Sequence, residues 1–217
     1  MKRFLHDNGL TIALMLLFLG AIAGQAVFGW RAEAEELRLH HAPPIGFAAY
    51  LGTGHFISAV FENWESEFLQ MAVYVVLTAV LVQRGSPESR DPDGKDDEEG
   101  ASVPAAALPG PVRRGGVLLR VYAHSLSLAL VALFLISFVL HLLGSTRRAS
   151  EEAALHGQPP HTVADTLADA EFWYESLQNW QSEFLSVAVL VVLGIWLRER
   201  GSPESKPVSA PHSQTGR

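Results

Sequence analysis

The residues best suited to chemistry are polar side chains at one end of two apolar segments, and inside two others. Asn63 and Glu67 are four residues apart, so a helix places them on one face, and the same pair recurs 116 residues later. Gln25 and His141 lie within apolar stretches, where a polar group needs a hydrogen-bond partner. The sequence therefore predicts one polar cluster, formed by Asn63, Glu67, Asn179, Glu183, Gln25 and His141.

Two interpretations of this cluster remain open. Paired carboxylates in a partly buried setting have a raised pKa and could bind a cation or relay protons, with the histidine as a group that titrates near neutral pH. In the structural interpretation, Trp64 and Trp180 are anchors at the membrane interface, and the polar side chains bond neighbouring helices.

The sequence shows no sign of an enzyme, a cofactor or a metal centre. It has no cysteine, no phosphate-binding glycine loop, and none of the usual serine-hydrolase or zinc-protease motifs. The spacing of His40, His41, His156 and His161 fits no metal-ligand pattern. Acid–base catalysis by the polar cluster is only a third alternative. A net charge of -7 also argues against a nucleic-acid partner.

Four apolar segments must position these side chains. Residues 9–29 and 125–145 each run for 21 positions without a formal charge, and about 20 apolar residues span the roughly 30 Å hydrocarbon core. Residues 68–83 and 184–197 are apolar but shorter. We therefore predict an all-α membrane bundle with four transmembrane helices, over about 9–29, 67–84, 122–145 and 183–199.

The chain also repeats itself at an offset of 116 residues. Residues 61–90 and 177–206 share 18 identities in 30 positions without a gap. The clearest matches are the Asn-Trp-x-Ser-Glu-Phe-Leu stretch and the Arg-Gly-Ser-Pro-Glu-Ser stretch that follows each short apolar segment. The same offset pairs His40 with His156. A single offset over most of one copy predicts a tandem duplication of a helical hairpin.

This duplication fixes the expected domain organisation. Residues 1–90 and 117–206 are the two hairpins, 91–116 a disordered acidic linker, and 207–217 a disordered tail. Because each hairpin has two spans, both copies have the same orientation and are related by an axis along the membrane normal. Placing both termini in the cytoplasm puts 12 of the 16 Lys and Arg residues on the inner side, as the positive-inside rule favours.

Local signals predict the ends of the helices. Residues 31–41 are rich in helix formers, so the first helix of each hairpin should project beyond the bilayer by about two to three turns. Thr53 and Asp169 are good N-caps for the second helices, and Gly85 and Gly201 are suitable C-caps. The Gly20-x-x-x-Gly24 motif predicts close approach of one helix pair.

The two repeated motifs and the four-span layout resemble a family of uncharacterised bacterial integral membrane proteins, a domain-of-unknown-function family. The resemblance implies a multi-pass protein of the bacterial inner membrane and brings no activity. We expect a structural or protein-interaction component of that membrane; the alternative is a small-solute, ion or proton conduit. The expected partners are the lipid bilayer and either a membrane protein or a second copy of the chain.

Overall fold

The computed structural model describes residues 2–92 and 108–216 of the 217-residue chain. Within these ranges the fold is all-α and contains no strand. Of the predicted disordered linker, 91–116, residues 93–107 lie outside the described residues, and the described end contains the short helix Gly110–Arg114. The helices in chain order are α1 Lys2–Asp7, α2 Gly9–Leu39, α3 Phe47–Tyr50, α4 Gly54–Val80, α5 Gly110–Arg114, α6 Gly116–Ala123, α7 Ser125–Leu155, α8 Val163–Ala168 and α9 Ala170–Leu193.

Two of these helices, α2 and α7, are long and apolar enough to cross a membrane. Each has 31 residues, or about 46 Å at 1.5 Å per residue. That exceeds the roughly 30 Å hydrocarbon core by about three turns. In the most apolar 18-residue stretch of each helix, only 6% of the residues of α2 and 17% of those of α7 are buried. A core helix of a soluble protein would be mostly buried, so their exposed apolar surface suits lipid.

The second helices begin where the sequence places them. α4 starts directly after Thr53, whose hydroxyl accepts the Phe56 N–H at 3.3 Å. α9 starts directly after Asp169, whose carboxylate accepts the Glu171 N–H at 3.1 Å. Both side chains therefore satisfy N–H groups that the first helical turn leaves without an intrahelical acceptor.

The same helices end earlier than Gly85 and Gly201, the predicted C-caps. α4 ends at Val80 and α9 at Leu193. After α4, Arg90 donates to the carbonyl oxygen of Ala79 at 2.7 Å, so a side chain from outside the helix satisfies a terminal carbonyl. Gly85 and Gly201 instead lie in the following turns, with φ of 82° and 84°, a conformation that glycine adopts without strain.

Serine hydroxyls build the turn after each of these helices. Ser89 accepts the backbone N–H of Gln83 at 2.8 Å, and Ser86 accepts that of Glu88 at 3.2 Å. The same two bonds recur 116 residues later, from Glu199 to Ser205 at 2.9 Å and from Glu204 to Ser202 at 3.1 Å. The repeated Gly-Ser-Pro-Glu-Ser sequence thus specifies a hydrogen-bonded turn.

The chain divides into two compact units, of which the first comprises Met1–Phe61 and Val139–Trp173. Here the start of α4 packs closely on α7 at two glycines. A Cβ on Gly54 would overlap the backbone nitrogen of Arg148, and one on Gly144 would lie 2.5 Å from that of Ser58. No described atom lies within 4 Å of a Cβ built on Gly20 or Gly24. The prediction that the Gly20-x-x-x-Gly24 motif brings two helices close together is therefore wrong for the described residues of this chain.

The second unit comprises Glu62–Phe138 and Tyr174–Arg217. In it, the predicted disordered tail differs from expectation, because residues 207–216 form turns, and the Gly216 N–H donates to the carbonyl oxygen of Ser86 at 3.0 Å. The ammonium of Lys206, which is 1% exposed, donates to the carbonyl oxygens of Gly85, His212 and Gln214 at 2.5–3.0 Å. A buried ammonium needs such acceptors, and supplying them orders the tail.

Candidate functional site

A band of polar side chains joins α4 to α9 within the second unit. We call it the polar belt and define it by Glu62, Glu65, Gln70, Asn179, Trp180 and Ser186. The amide of Asn179 donates to the Glu62 carboxylate at 2.5 Å, and the indole N–H of Trp180 donates to the Glu65 carboxylate at 3.2 Å. Each bond joins an N–H donor on α9 to a carboxyl oxygen on α4.

The centre of the belt is inaccessible to solvent. Glu65 is 0% exposed and its neighbour Ser66 2% exposed. The Trp180 ring also packs edge-on against Phe134, with centroids 6.3 Å apart. An indole with one polar edge suits this position because its ring packs on apolar neighbours while its N–H reaches the carboxylate.

Farther along the two helices, the belt continues through residues that the 116-residue offset pairs. The Gln70 amide donates to the Ser186 hydroxyl at 3.4 Å and to the carbonyl oxygen of Glu183 at 3.3 Å. Glu67 and Glu183, another offset pair, lie on the same two helices, α4 and α9. In the first unit the rings of His40 and His156 meet edge-on, with centroids 5.4 Å apart. Each unit therefore contains neighbours that the 116-residue offset pairs.

Two cavities lie near these contacts, one in each unit. The cavity of the second unit has a volume of about 410 Å³ and lies between α4 and α9, next to Gln70. The cavity of the first unit, about 220 Å³, is polar. Its charged lining consists of Glu33, Glu36, Glu151, Glu152 and Glu171, with His55 and Arg148.

Several of the carboxylates in the smaller cavity are occupied by contacts inside the first unit. Glu151 accepts the N–H of Gly54 at 2.9 Å and that of the Arg147 guanidinium at 2.8 Å. The His55 ring lies 3.8 Å from the Glu33 carboxylate and 3.0 Å from the hydroxyl of Tyr50. Burial raises the pKa of the Glu33 carboxyl, while His55 opposes the rise.

Comparison with known proteins supplies the family. The family model described as "Domain of unknown function (DUF6766)" matches residues 1–217. The chain belongs to the DUF6766 family. No curated protein matches this DUF6766 chain, and no solved structure does. Family membership therefore assigns no activity to the polar belt or to either cavity.

The predicted site residues of this DUF6766 chain fall in different places. In the second unit Asn63 and Glu67 are exposed, whereas Asn179, Glu183, Trp64 and Trp180 are partly buried. Gln25 and His141 belong to the first unit, where Gln25 is exposed. His141 is 0% exposed and packs on Phe172, with ring centroids 4.8 Å apart. The single cluster of six stays a prediction, and its Gln25 member lies on the surface.

Sequence analysis missed Glu62 and Glu65, the two carboxylates of the belt. It favoured Glu67, because that is the last acid before the apolar segment. A signal did exist in the repeat: the second copy of this DUF6766 chain has Gln178 and Gln181 at the equivalent positions. These two acids are the only differences between residues 62–69 and residues 178–185.

Proposed function

We propose that this chain is a four-span protein of the bacterial inner membrane that serves as a structural or protein-interaction component and not as an enzyme. The observation that carries the proposal is the polar belt. Its carboxylates accept N–H groups from the opposite helix and hold α4 to α9. Groups used in this way stabilise a helix pair, as polar side chains commonly do at membrane helix contacts.

A paired-hairpin architecture is supported by contacts between equivalent residues. In a two-fold arrangement, a residue near the axis meets its own equivalent. His40 meets His156 in the first unit, and Gln70 meets Ser186 in the second. The backbone agrees, because His41 and its equivalent Gly157 both have positive φ, at 54° and 67°. We infer that the two copies pack around a pseudo-two-fold axis along the membrane normal.

The exposed apolar surface leaves room for a partner. Leu10 and Leu17 on α2 are 74% and 71% exposed, and Leu126 on α7 is 61% exposed. Such surface faces either lipid or the helices of another membrane protein. A second copy of the chain or a different membrane protein would dock here.

The alternative function is a conduit for ions, protons or small solutes. The 116-residue offset that pairs Glu67 on α4 with Glu183 on α9 supports it, since two acids that face each other across a helix pair can bind a cation or relay protons. Flux in proteoliposomes that disappears in a Glu67→Gln, Glu183→Gln double variant, with protein level unchanged, would favour this alternative over the structural role.

Topology reporters test the proposed architecture. We expect fusions after residues 40 and 156 to report the extracytoplasmic side. A fusion after residue 100 should report the cytoplasm, because Lys and Arg residues flank residue 100. Each position is fused to two reporters, one active only outside the cytoplasm and one active only inside it. Every position then has its own control. An extracytoplasmic signal at residue 100, or recovery of the chain in the soluble fraction, contradicts the four-span proposal.

A further inference from the structure

The smaller cavity, in the first unit, contains a histidine held between a phenol and a carboxylate. Nδ1 of His55, at the start of α4, lies 3.0 Å from the Tyr50 hydroxyl of α3 and 3.8 Å from the Glu33 carboxylate of α2. Tyr50 is 1% exposed, and a Cβ on Gly29 of α2 would overlap its hydroxyl. Close packing of three separate helices therefore brings these polar groups together.

The ring nitrogen between the phenol and the carboxylate changes its role when the histidine gains a proton. In a neutral ring that carries its proton on Nε2, Nδ1 accepts the hydroxyl hydrogen of Tyr50. In the protonated ring Nδ1–H is a donor, and the ring adds a positive charge beside Glu33. Histidine ordinarily makes this change between about pH 5 and 8. Burial, with Glu33 adding to the effect, raises the pKa of the Tyr50 hydroxyl, so the phenol keeps its proton throughout that range.

The charged groups that line the cavity around His55 are mostly negative. They are Glu33 and Glu36 on α2, Arg148, Glu151 and Glu152 on α7, and Glu171 at the start of α9. Among the described lining residues, five carboxylates thus stand against one guanidinium, and a proton on His55 reduces that imbalance. The side chains of His55 and Glu33 are only 28% and 18% exposed, so solvent screens this pair less than a pair on the surface.

We propose that this cavity is a pH-sensitive joint, in which proton uptake by His55 in mild acid strengthens the contact between α2 and the start of α4. Protonation replaces a neutral contact with an ion pair to Glu33 and offsets the repulsion among the surrounding carboxylates. The inference uses contacts within the first unit and does not depend on the membrane. Under the proposed topology the joint lies on the extracytoplasmic side and responds to the pH there.

The carboxylate partner responds to pH in the same direction. Burial raises the pKa of the Glu33 carboxyl, and the charge of His55 opposes the rise. A group whose pKa is raised by folding contributes stability in acid, and that contribution is lost as the pH rises through the raised pKa. Pairing with a protonated His55 and proton uptake by Glu33 itself remove the same cost, which is that of a partly buried charge. Both therefore make the first unit more stable as the pH falls.

Thermal unfolding of the detergent-purified full chain at about pH 7.5 and about pH 5.5, within the range where histidine changes charge, tests the joint. Because every carboxylate responds to pH, the quantity compared is the change in unfolding temperature on acidification. For His55→Gln, which stays polar but gains no proton, this change should be less favourable than in wild type by roughly 2–4 °C, the effect of one moderate interaction in a chain of this length.

A second variant tests the partner without altering the histidine. Glu33→Gln should lose the same part of the response, and the double variant should lose no more than either single variant, because the two residues act as a pair. Glu33→Gln should also be at least as stable as wild type at about pH 7.5, because it buries no charge. If His55→Gln does not fold, Glu33→Gln makes the comparison alone.

His161→Gln is the matched control, since His161 is an exposed histidine of the same unit that lies outside the cavity lining. It should keep the wild-type response to acid. If His55→Gln and Glu33→Gln respond like His161→Gln, the pair does not sense pH and the inference is wrong, whether or not the chain spans a membrane. The topology reporters test the proposed function separately.

Discussion

Replacing Glu65 with alanine is expected to lower the unfolding free energy by about 1–3 kcal/mol, the cost of leaving a buried polar group without its partner. Glu65 is 0% exposed, and its carboxylate accepts the Trp180 N–H at 3.2 Å. Truncation removes that acceptor and leaves space in the centre of the belt. Denaturant unfolding in micelles, followed by tryptophan fluorescence, measures the loss.

Two variants control for the chemistry and for the position. Glu65→Gln keeps an oxygen that can accept the indole N–H, so it should retain most of the stability. Gln181→Ala makes a matched truncation at the equivalent position of the second copy, where the side chain is exposed, and should change stability by no more than about 0.5 kcal/mol. Equal effects of Glu65→Ala and Gln181→Ala would show that the belt does not stabilise the helix pair.

The second large effect is expected at the glycines where α4 meets α7. In Gly144→Ala the new methyl would lie 2.5 Å from the backbone nitrogen of Ser58 and 2.9 Å from its Cα. Those are backbone atoms, so the helices themselves must separate. Overpacking of this kind costs about 1–3 kcal/mol, more than the roughly 1 kcal/mol by which alanine favours a helix over glycine. Thermal unfolding in detergent measures the decrease.

Gly20→Ala is the matched control on the other long helix. No described atom lies within 4 Å of its Cβ position, so the variant should be as stable as wild type or slightly more stable. A Gly144→Ala protein as stable as Gly20→Ala would mean that α4 and α7 do not approach as closely as described.

Helix starts and the long apolar helices were predictable because their signals are local. Thr53 and Asp169 cap the residues that follow them, and the length of α2 follows from a continuous run of helix-forming residues. Such features depend on neighbours in the sequence, and a single chain is enough to recognise them.

Helix ends and close contacts were less predictable because they depend on distant residues. α4 ends at Val80 in a structure where Arg90 reaches back to Ala79. The Gly-x-x-x-Gly motif pointed to Gly20, whereas the structure uses Gly54 and Gly144, which are 90 residues apart and match no short motif.

The sequence predicted a polar site on α4 and α9 but not the carboxylates that form it. The Asn-Trp stretch does supply Asn179 and Trp180 to the belt, yet the carboxylates that accept from them are Glu62 and Glu65. Which face of α4 is buried depends on where α9 lies, and hydrophobic periodicity is weak in a stretch where polar residues occur on every side.

Cross-linking of engineered cysteine pairs tests most directly whether the two copies pack with equivalent residues facing each other. The chain has no native cysteine, so each pair is the only one present. Gln70→Cys with Ser186→Cys, and His40→Cys with His156→Cys, should cross-link within one chain in native membranes when treated with a short bis-maleimide. Gln70→Cys with Val189→Cys, three residues along the same helix, should react far less. Failure of both equivalent pairs, or equal reaction of the Val189 pair, would contradict the paired-hairpin arrangement.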